Sequence, residues 1–168
     1  MGLPWVLVRP VTTTGARDTS LMANLLPAHR AGIFPIIGKG TQPLSMVDAR
    51  DVARAMVLLG NAPEAERRAF LVGGFDTTWR GLKEAIDRAT GKRTRTMRLP
   101  AGLMKVAAQA ITALTPKGTE PKLHPLAVDT ASRASRFNDA RIRALGYAPR
   151  FTLEDAVSAG VTWTREQK

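Results

Sequence analysis

The stretch Leu44-Ser-Met-Val-Asp-Ala-Arg-Asp-Val-Ala-Arg-Ala55 decides the reading of this chain. Leu44 to Val47 is an apolar run of strand length, and the chain then turns on Asp51 straight into a helix. A short carboxylate is a favoured N-cap because it accepts the free backbone N–H groups of a first turn. Val52, Ala55, Met56 and Leu59 recur at helical spacing, which gives one apolar face for a core, and Gly60 provides the stop.

Upstream, Pro4 to Arg9 is apolar, rich in β-branched residues and closed by Pro10, as suits a buried parallel strand. Thr12 to Asp18 reads as a polar loop at that strand's C-terminal end, where open α/β sheets place their ligands. Ser20 is set to cap a helix from Leu21 toward Ala31, which Pro27 should kink or end early. Phe34 to Ile37 is a short apolar stretch before the turn Gly38-Lys-Gly40.

Downstream, Phe70 to Val72 is a buried strand ending at Gly73-Gly74. Thr78 caps a helix with Leu82, Ala85, Ile86 and Ala89 on one face and Gly91 as its stop; Gly81 at the third position denies it a capping box. Met97 to Leu99 is a strand, Ala101 to Leu114 a helix, and Lys117 to Pro125 a loop. A helix over Asp139 to Leu145 stops at Gly146, and Thr152-Leu-Glu-Asp155 approximates a capping box for a final helix through Trp163. Strands alternating with helices argue for an α/β class.

The bulk numbers remove several function classes. The 168 residues contain no cysteine, which excludes disulfides, thiolate metal sites and cysteine nucleophiles. His29 and His124 lie in unlike contexts, and Asp48 and Asp51 offer only a carboxylate pair, so no metal site is expected. No Gly-x-Ser-x-Gly elbow is present. The first residues lack a signal-peptide pattern, and Ala101 to Leu114 falls short of the ~20 residues that span a bilayer. A cytoplasmic protein without a membrane partner is the expectation. The net charge of +11, with a cluster through Arg80, Lys83, Arg88, Lys92, Arg93, Arg95, Arg98 and Lys105, favours anionic partners or simply solvates helix faces. Nucleic acid is the less favoured of these, because aromatics do not interleave with the cations.

Taken in order, five motifs resemble the second half of extended short-chain dehydrogenases/reductases, the NAD-dependent epimerase/dehydratase family. They are the strand ending Arg9-Pro10 with Pro10-Val-Thr-Thr-Thr-Gly15; Leu44 to Ala55; Phe70-Leu-Val-Gly-Gly-Phe-Asp-Thr-Thr-Trp79; Leu145-Gly-Tyr-Ala-Pro-Arg150; and Thr152-Leu-Glu-Asp155. The branch most similar is that of dihydroflavonol reductases and 3-beta-hydroxysteroid dehydrogenases. The resemblance implies the C-terminal part of a Rossmann-type fold with its small substrate-binding subdomain, the N-terminal nucleotide-binding half missing. On that reading residues 1–168 form a single incomplete domain, the last Rossmann strands and helices mixed with the substrate-binding subdomain.

The resemblance also implies roles. Pro10, Val11 and Thr13 would present backbone groups to the nicotinamide of NAD or NADP in the intact parent. Thr12 would face a small-molecule substrate, and Arg136, near Arg133, lies where related enzymes bring an arginine to a substrate anion. Leu44 stands where sugar-nucleotide epimerases place a pyrophosphate-gripping arginine, which points to less charged alcohols and ketones. The family's catalytic Tyr-x-x-x-Lys pair and glycine fingerprint are absent: the one tyrosine, Tyr147, is followed four residues later by Phe151. No catalytic residue is therefore assigned. The chain alone is expected to be inert and to bind a dinucleotide weakly, needing the missing N-terminal half, with the intact parent a homodimer. A non-catalytic dinucleotide-sensing or partner-binding relative, and a basic nucleic-acid-binding module, remain as alternatives.

Overall fold

The computed structural model describes residues 3–116 and 125–167. The chain runs β1 (Leu7–Pro10), β2 (Thr12–Thr14), α1 (Leu21–Arg30), β3 (Ile33–Ile37), β4 (Pro43–Asp48) and α2 (Ala49–Gly60). After a 3-10 turn at Pro63–Ala65 come β5 (Ala69–Val72), β6 (Phe75–Thr78), α3 (Trp79–Thr90), β7 (Arg95–Leu99) and α4 (Ala101–Leu114). Three helices close it: α5 (Pro125–Ser132), α6 (Ala140–Arg143) and α7 (Leu153–Glu166).

The strands form three small ladders. β1 pairs parallel with β5, Leu7 opposite Ala69 through Pro10 opposite Val72. β4 lies between β2, parallel to it, and β6, antiparallel. β3 pairs parallel with β7. Two apolar clusters meet at β4, because successive side chains on a strand point to opposite faces. Leu44 and Met46 enter a core with Met22, Leu26, Phe34, Leu82, Ile86 and Val157. Val47 enters a second with Val11, Leu59, Phe70, Val72 and Tyr147.

Several details differ from the expectations. Asp48, not Asp51, caps α2: its carboxylate accepts Arg50 N–H at 2.8 Å and the helix begins at Ala49. Asp51 lies within the first turn, fully buried. The Met56 side chain is exposed, since the buried stripe of α2 runs through Asp51, Ala55 and Leu59 instead. Thr12–Thr14 is a strand rather than a loop, its β-branched residues paired with β4. Pro27 stays inside α1, where buried Met22, Leu25, Leu26 and His29 hold the helix against the core despite one missing backbone bond. Asp18 does the capping there, accepting Ser20 and Leu21 N–H at 2.9 and 2.8 Å, while Ser20's hydroxyl takes no part. The helix expected over Asp139 to Leu145 is the shorter α6. Of the loop expected over Lys117 to Pro125, residues 117–124 lie outside the described residues, His124 with them, and Pro125 opens α5.

The largest departure concerns β1. It was expected to be buried, yet Trp5 and Leu7 are 51% and 42% exposed. β5 occupies one of its edges, and no described residue pairs with the other.

Candidate functional site

A cleft of about 140 Å³ opens where β1 and β5 end. Its floor is Val11, the first residue past β1, and Gly73-Gly74, the turn after β5. Ser45 and Asp76 line one wall; Phe137, Asp139 and Arg143 line the other. Crowding by backbone at Gly74 and by a side chain at Gly73 explains the glycines. A Cβ on Gly74 would stand 3.0 Å from both Met46 O and Val47 Cα, and one on Gly73 would stand 3.0 Å from Asp139 Oδ2.

The polar side chains are held in pairs. Ser45 and Asp76 face each other across the β4–β6 ladder, and the Ser45 hydroxyl donates to Asp76 Oδ1 at 2.6 Å. Arg143 Nε donates to Asp139 Oδ1 at 2.7 Å, and this bond holds the guanidinium above its usual pKa, against the opposing effect of burial. Tyr147 is buried, and its hydroxyl donates to Gly73 O at 2.9 Å. Burial pushes that phenol up to about 12. The one tyrosine is thus a pin fixing the floor of the cleft, held in its protonated form.

Of the residues singled out in the sequence, Val11 lines this cleft. Its N–H donates to Val72 O at 3.0 Å and its carbonyl accepts the Thr13 hydroxyl at 3.1 Å. Pro10 is exposed and Thr12 and Thr13 are half-buried. Arg136 is exposed, one residue before the lining Phe137. The segment carrying it is brought beside Thr12. Ser135 bridges to Leu44, with Ser45 N–H donating to Ser135 O and Ser135 N–H to Pro43 O, both at 2.8 Å. Leu44 already pairs with β6 on its other side, so Ser135 and Thr12 lie on the same edge of β4, two register positions apart. The two segments expected to face substrate therefore converge.

The sequence reading missed Ser45, Asp76, Phe137, Asp139 and Arg143. One signal was present: Ser45 is the lone polar residue in an otherwise apolar strand run. The others gain meaning only through long-range pairing. Among the described residues no three His, Asp or Glu side chains come together as a metal site.

The residues that the resemblance assigns to a dinucleotide would serve its nicotinamide end alone. Val11's amide is committed to the sheet, leaving carbonyl lone pairs and the Thr12 side chain for a ring carboxamide. Among the described residues no glycine-rich strand-to-helix turn is present to hold a pyrophosphate.

No family model matches the chain. A ketoreductase of Stigmatella aurantiaca, named for 4-hydroxy-2-methyl-3-oxo-4-farnesyl-3,4-dihydroquinoline-1-oxide, is 28% identical over 163 residues, covering 94% of this chain and 48% of the relative. UDP-glucuronic acid 4-epimerase from Bacillus cereus, solved with NAD, superposes with a TM-score of 0.70 at 18% identity, covering 98% of this chain and 46% of that one. UDP-glucose 4-epimerase from Thermotoga maritima, solved with UDP-glucose, gives 0.71 at 20% identity, with 99% and 47% covered. The chain has the α/β fold of these extended short-chain dehydrogenases/reductases and spans about half the length of the proteins it matches, consistent with their C-terminal half.

Proposed function

We propose that this chain is the substrate-binding portion of an NAD(P)-dependent oxidoreductase and supplies the closing strands of that enzyme's nucleotide-binding sheet. The intact protein moves hydride at a carbinol or ketone carbon of a small substrate. The observation that carries this reading is β1: a parallel strand with apolar side chains exposed and one edge that no described residue pairs, ending at the point where the Thr12 and Arg136 segments meet. Parallel sheets are ordinarily covered on both faces and an exposed edge invites pairing, so this edge is suited to another strand.

The cleft favours an uncharged substrate. Leu44 is buried in the apolar core, so it offers a pyrophosphate nothing to grip. The cleft's own charges are two carboxylates, Asp76 and Asp139, and the one guanidinium of Arg143, a balance that repels phosphate and suits hydroxyl or carbonyl groups. The ketoreductase relative, named for a farnesyl-bearing dihydroquinoline oxide with hydroxyl and oxo groups and no phosphate, supports the same class. Within the reaction, Ser45 and Asp76 orient a substrate hydroxyl, and Tyr147 keeps the Gly73-Gly74 floor in place. A bound nicotinamide would supply or accept the hydride, and the proton donor comes from the part of the enzyme outside this chain.

The test is the reading frame preceding Met1. Expression of the contiguous polypeptide should give ketone-dependent oxidation of NADPH or NADH, and the upstream segment should carry a glycine fingerprint and Tyr-x-x-x-Lys. A polypeptide that binds dinucleotide without turnover would instead support the sensing relative, and one with neither property would overturn the reading.

A further inference from the structure

Helix α4 carries fourteen residues and one charge, Lys105. Of its side chains only Ala108 is buried. Leu103, Val106 and Leu114 are 65%, 63% and 85% exposed, and with Ala110 they follow i, i+3, i+7, i+11 along one outward stripe. Immediately before the helix, β7 exposes Arg95, Met97 and Arg98. From Arg88 to Pro116 the sequence holds six cations, Arg88, Lys92, Arg93, Arg95, Arg98 and Lys105, and no acid. Two of them are in ion pairs, Arg88 with Glu154 at 2.7 Å and Lys105 with Asp129 at 3.3 Å, and Lys92 Nζ donates to the Arg30 carbonyl at 2.5 Å. No ion pair among the described residues takes up Arg93, Arg95 or Arg98.

We propose that the α4 stripe and the Arg93, Arg95 and Met97 side of the β7 segment form one surface by which this chain lies on an anionic lipid bilayer, with α4 in the plane of the interface. Charge complementarity selects this occupant. Anionic headgroups attract cations placed at the surface, while Leu and Val side chains enter the headgroup–acyl boundary beside them. Nucleic acid would use the cations but has no use for an aliphatic stripe, and no tryptophan, tyrosine or phenylalanine lies between Arg80 and Pro116 for bases to stack on. A second copy, itself at +11, would set arginine rows against each other while covering the stripe. The expectation of no membrane partner rested on the lack of a spanning segment, and no helix of the described residues is long and apolar enough to cross. Association in the interface plane needs none. The proposal is independent of the cleft and of the reaction assigned to it.

Sedimentation of the full chain with vesicles tests it, using phosphatidylcholine alone and phosphatidylcholine mixed with phosphatidylserine. The chain should bind the anionic vesicles and leave the neutral ones. Arg93→Gln with Arg95→Gln should weaken partitioning roughly 30-fold, the effect of two surface cations. Leu103→Ser with Val106→Ser should weaken it about tenfold or more with an unchanged far-UV spectrum, since both side chains are solvent-facing. Leu114→Trp should show blue-shifted emission on anionic vesicles. Undiminished binding by the Leu103→Ser, Val106→Ser variant, equal binding to neutral vesicles, or displacement by duplex DNA that is insensitive to the stripe would each overturn the proposal. So would loss of vesicle binding in the longer polypeptide, which would mean that another part of the protein covers α4.

Discussion

The Asp51 carboxylate accepts the Arg150 backbone N–H through both oxygens, at 3.1 and 3.0 Å, although the two residues are 99 apart in sequence. The same carboxylate takes Phe151 N–H at 3.0 Å and Arg54 Nη1 at 2.9 Å. One fully buried acid in the first turn of α2 thus fixes the turn that launches α7, and the Arg50 guanidinium stacks 3.6 Å from the Phe151 ring centroid beside it. Asp51→Ala leaves two part-buried amides and a half-exposed arginine without their acceptor, at a cost of about 2 kcal/mol. Asp51→Asn keeps one carbonyl oxygen and should cost about half as much. Urea unfolding of the two variants checks the ranking.

Tyr147 predicts an alkaline limb. Its folded-state pKa is raised to about 12, chiefly by burial, from an ordinary 10.0. Above pH 10 the unfolded chain loses this proton while the folded one keeps it, so the unfolded state binds fewer protons and stability falls as pH rises. The loss should amount to about 2 kcal/mol by pH 12. Tyr147→Phe should flatten this limb, at a cost of about 1 kcal/mol at neutral pH for the bond to Gly73 O. Midpoints of denaturation between pH 8 and pH 12 separate the two effects.

Asp87 governs the acid side. Burial pushes this carboxyl up, but hydrogen bonds from Lys83, His29 and Thr94 together outweigh that and hold it below its usual value. His29, itself buried, lies 2.8 Å away, and Thr94 Oγ1 donates at 3.0 Å. A depressed folded pKa contributes stability that is present above the ordinary carboxylate range and lost as pH falls through the folded value. Asp87→Asn should lower stability by about 2 kcal/mol at neutral pH and weaken the acid dependence. A titration of unfolding midpoints from pH 6 downward reads both.

Two glycine substitutions in helices should have opposite signs. Gly160 in α7 lies against the Gly15 carbonyl, where an added Cβ would be 2.9 Å from the oxygen and 3.1 Å from Met22 Cγ. Gly102 in α4 has nothing within 4 Å of its Cβ position. Helix propensity alone would make both alanines stabilising by about 1 kcal/mol. Gly102→Ala should rise in Tm, and Gly160→Ala should fall, because the helix must lift off β2's following turn.

What could be read from the sequence was whatever local chemistry dictates. Thr78 caps α3 through Gly81 N–H, Gly91 ends it at φ +69°, and Thr152 with Asp155 closes a full capping box, all as their residue types require. The strand at Leu44 to Val47 and the helix from Ala101 to Leu114 were equally legible from apolar run length. The rest depended on partners distant in sequence. β6 follows a glycine pair and looks like loop until its antiparallel partner β4 is known. Asp51 reads as a cap by type and position, and only the return of Arg150 and Phe151 reveals it as a buried anchor. The cleft was half visible. Val11, singled out through the family resemblance as a cofactor contact, lines it, whereas Asp76, Asp139 and Arg143 are surface charges by composition and become wall residues only through folding.

The open edge of β1 is where the whole account can be tested most directly. Leu7 and Val11 N–H donate to Arg68 and Val72 carbonyls, so by alternation the Val8 amide points to the opposite side, and Pro10 has none to offer. Amide hydrogen exchange at Val8 should be fast in this chain by itself and slow, to the level of Leu7, in the longer polypeptide that includes the segment preceding Met1. Protection of Val8 in the isolated chain, or an amide that stays fast in the longer one, would contradict the claim that β1 is an interior strand of a larger sheet.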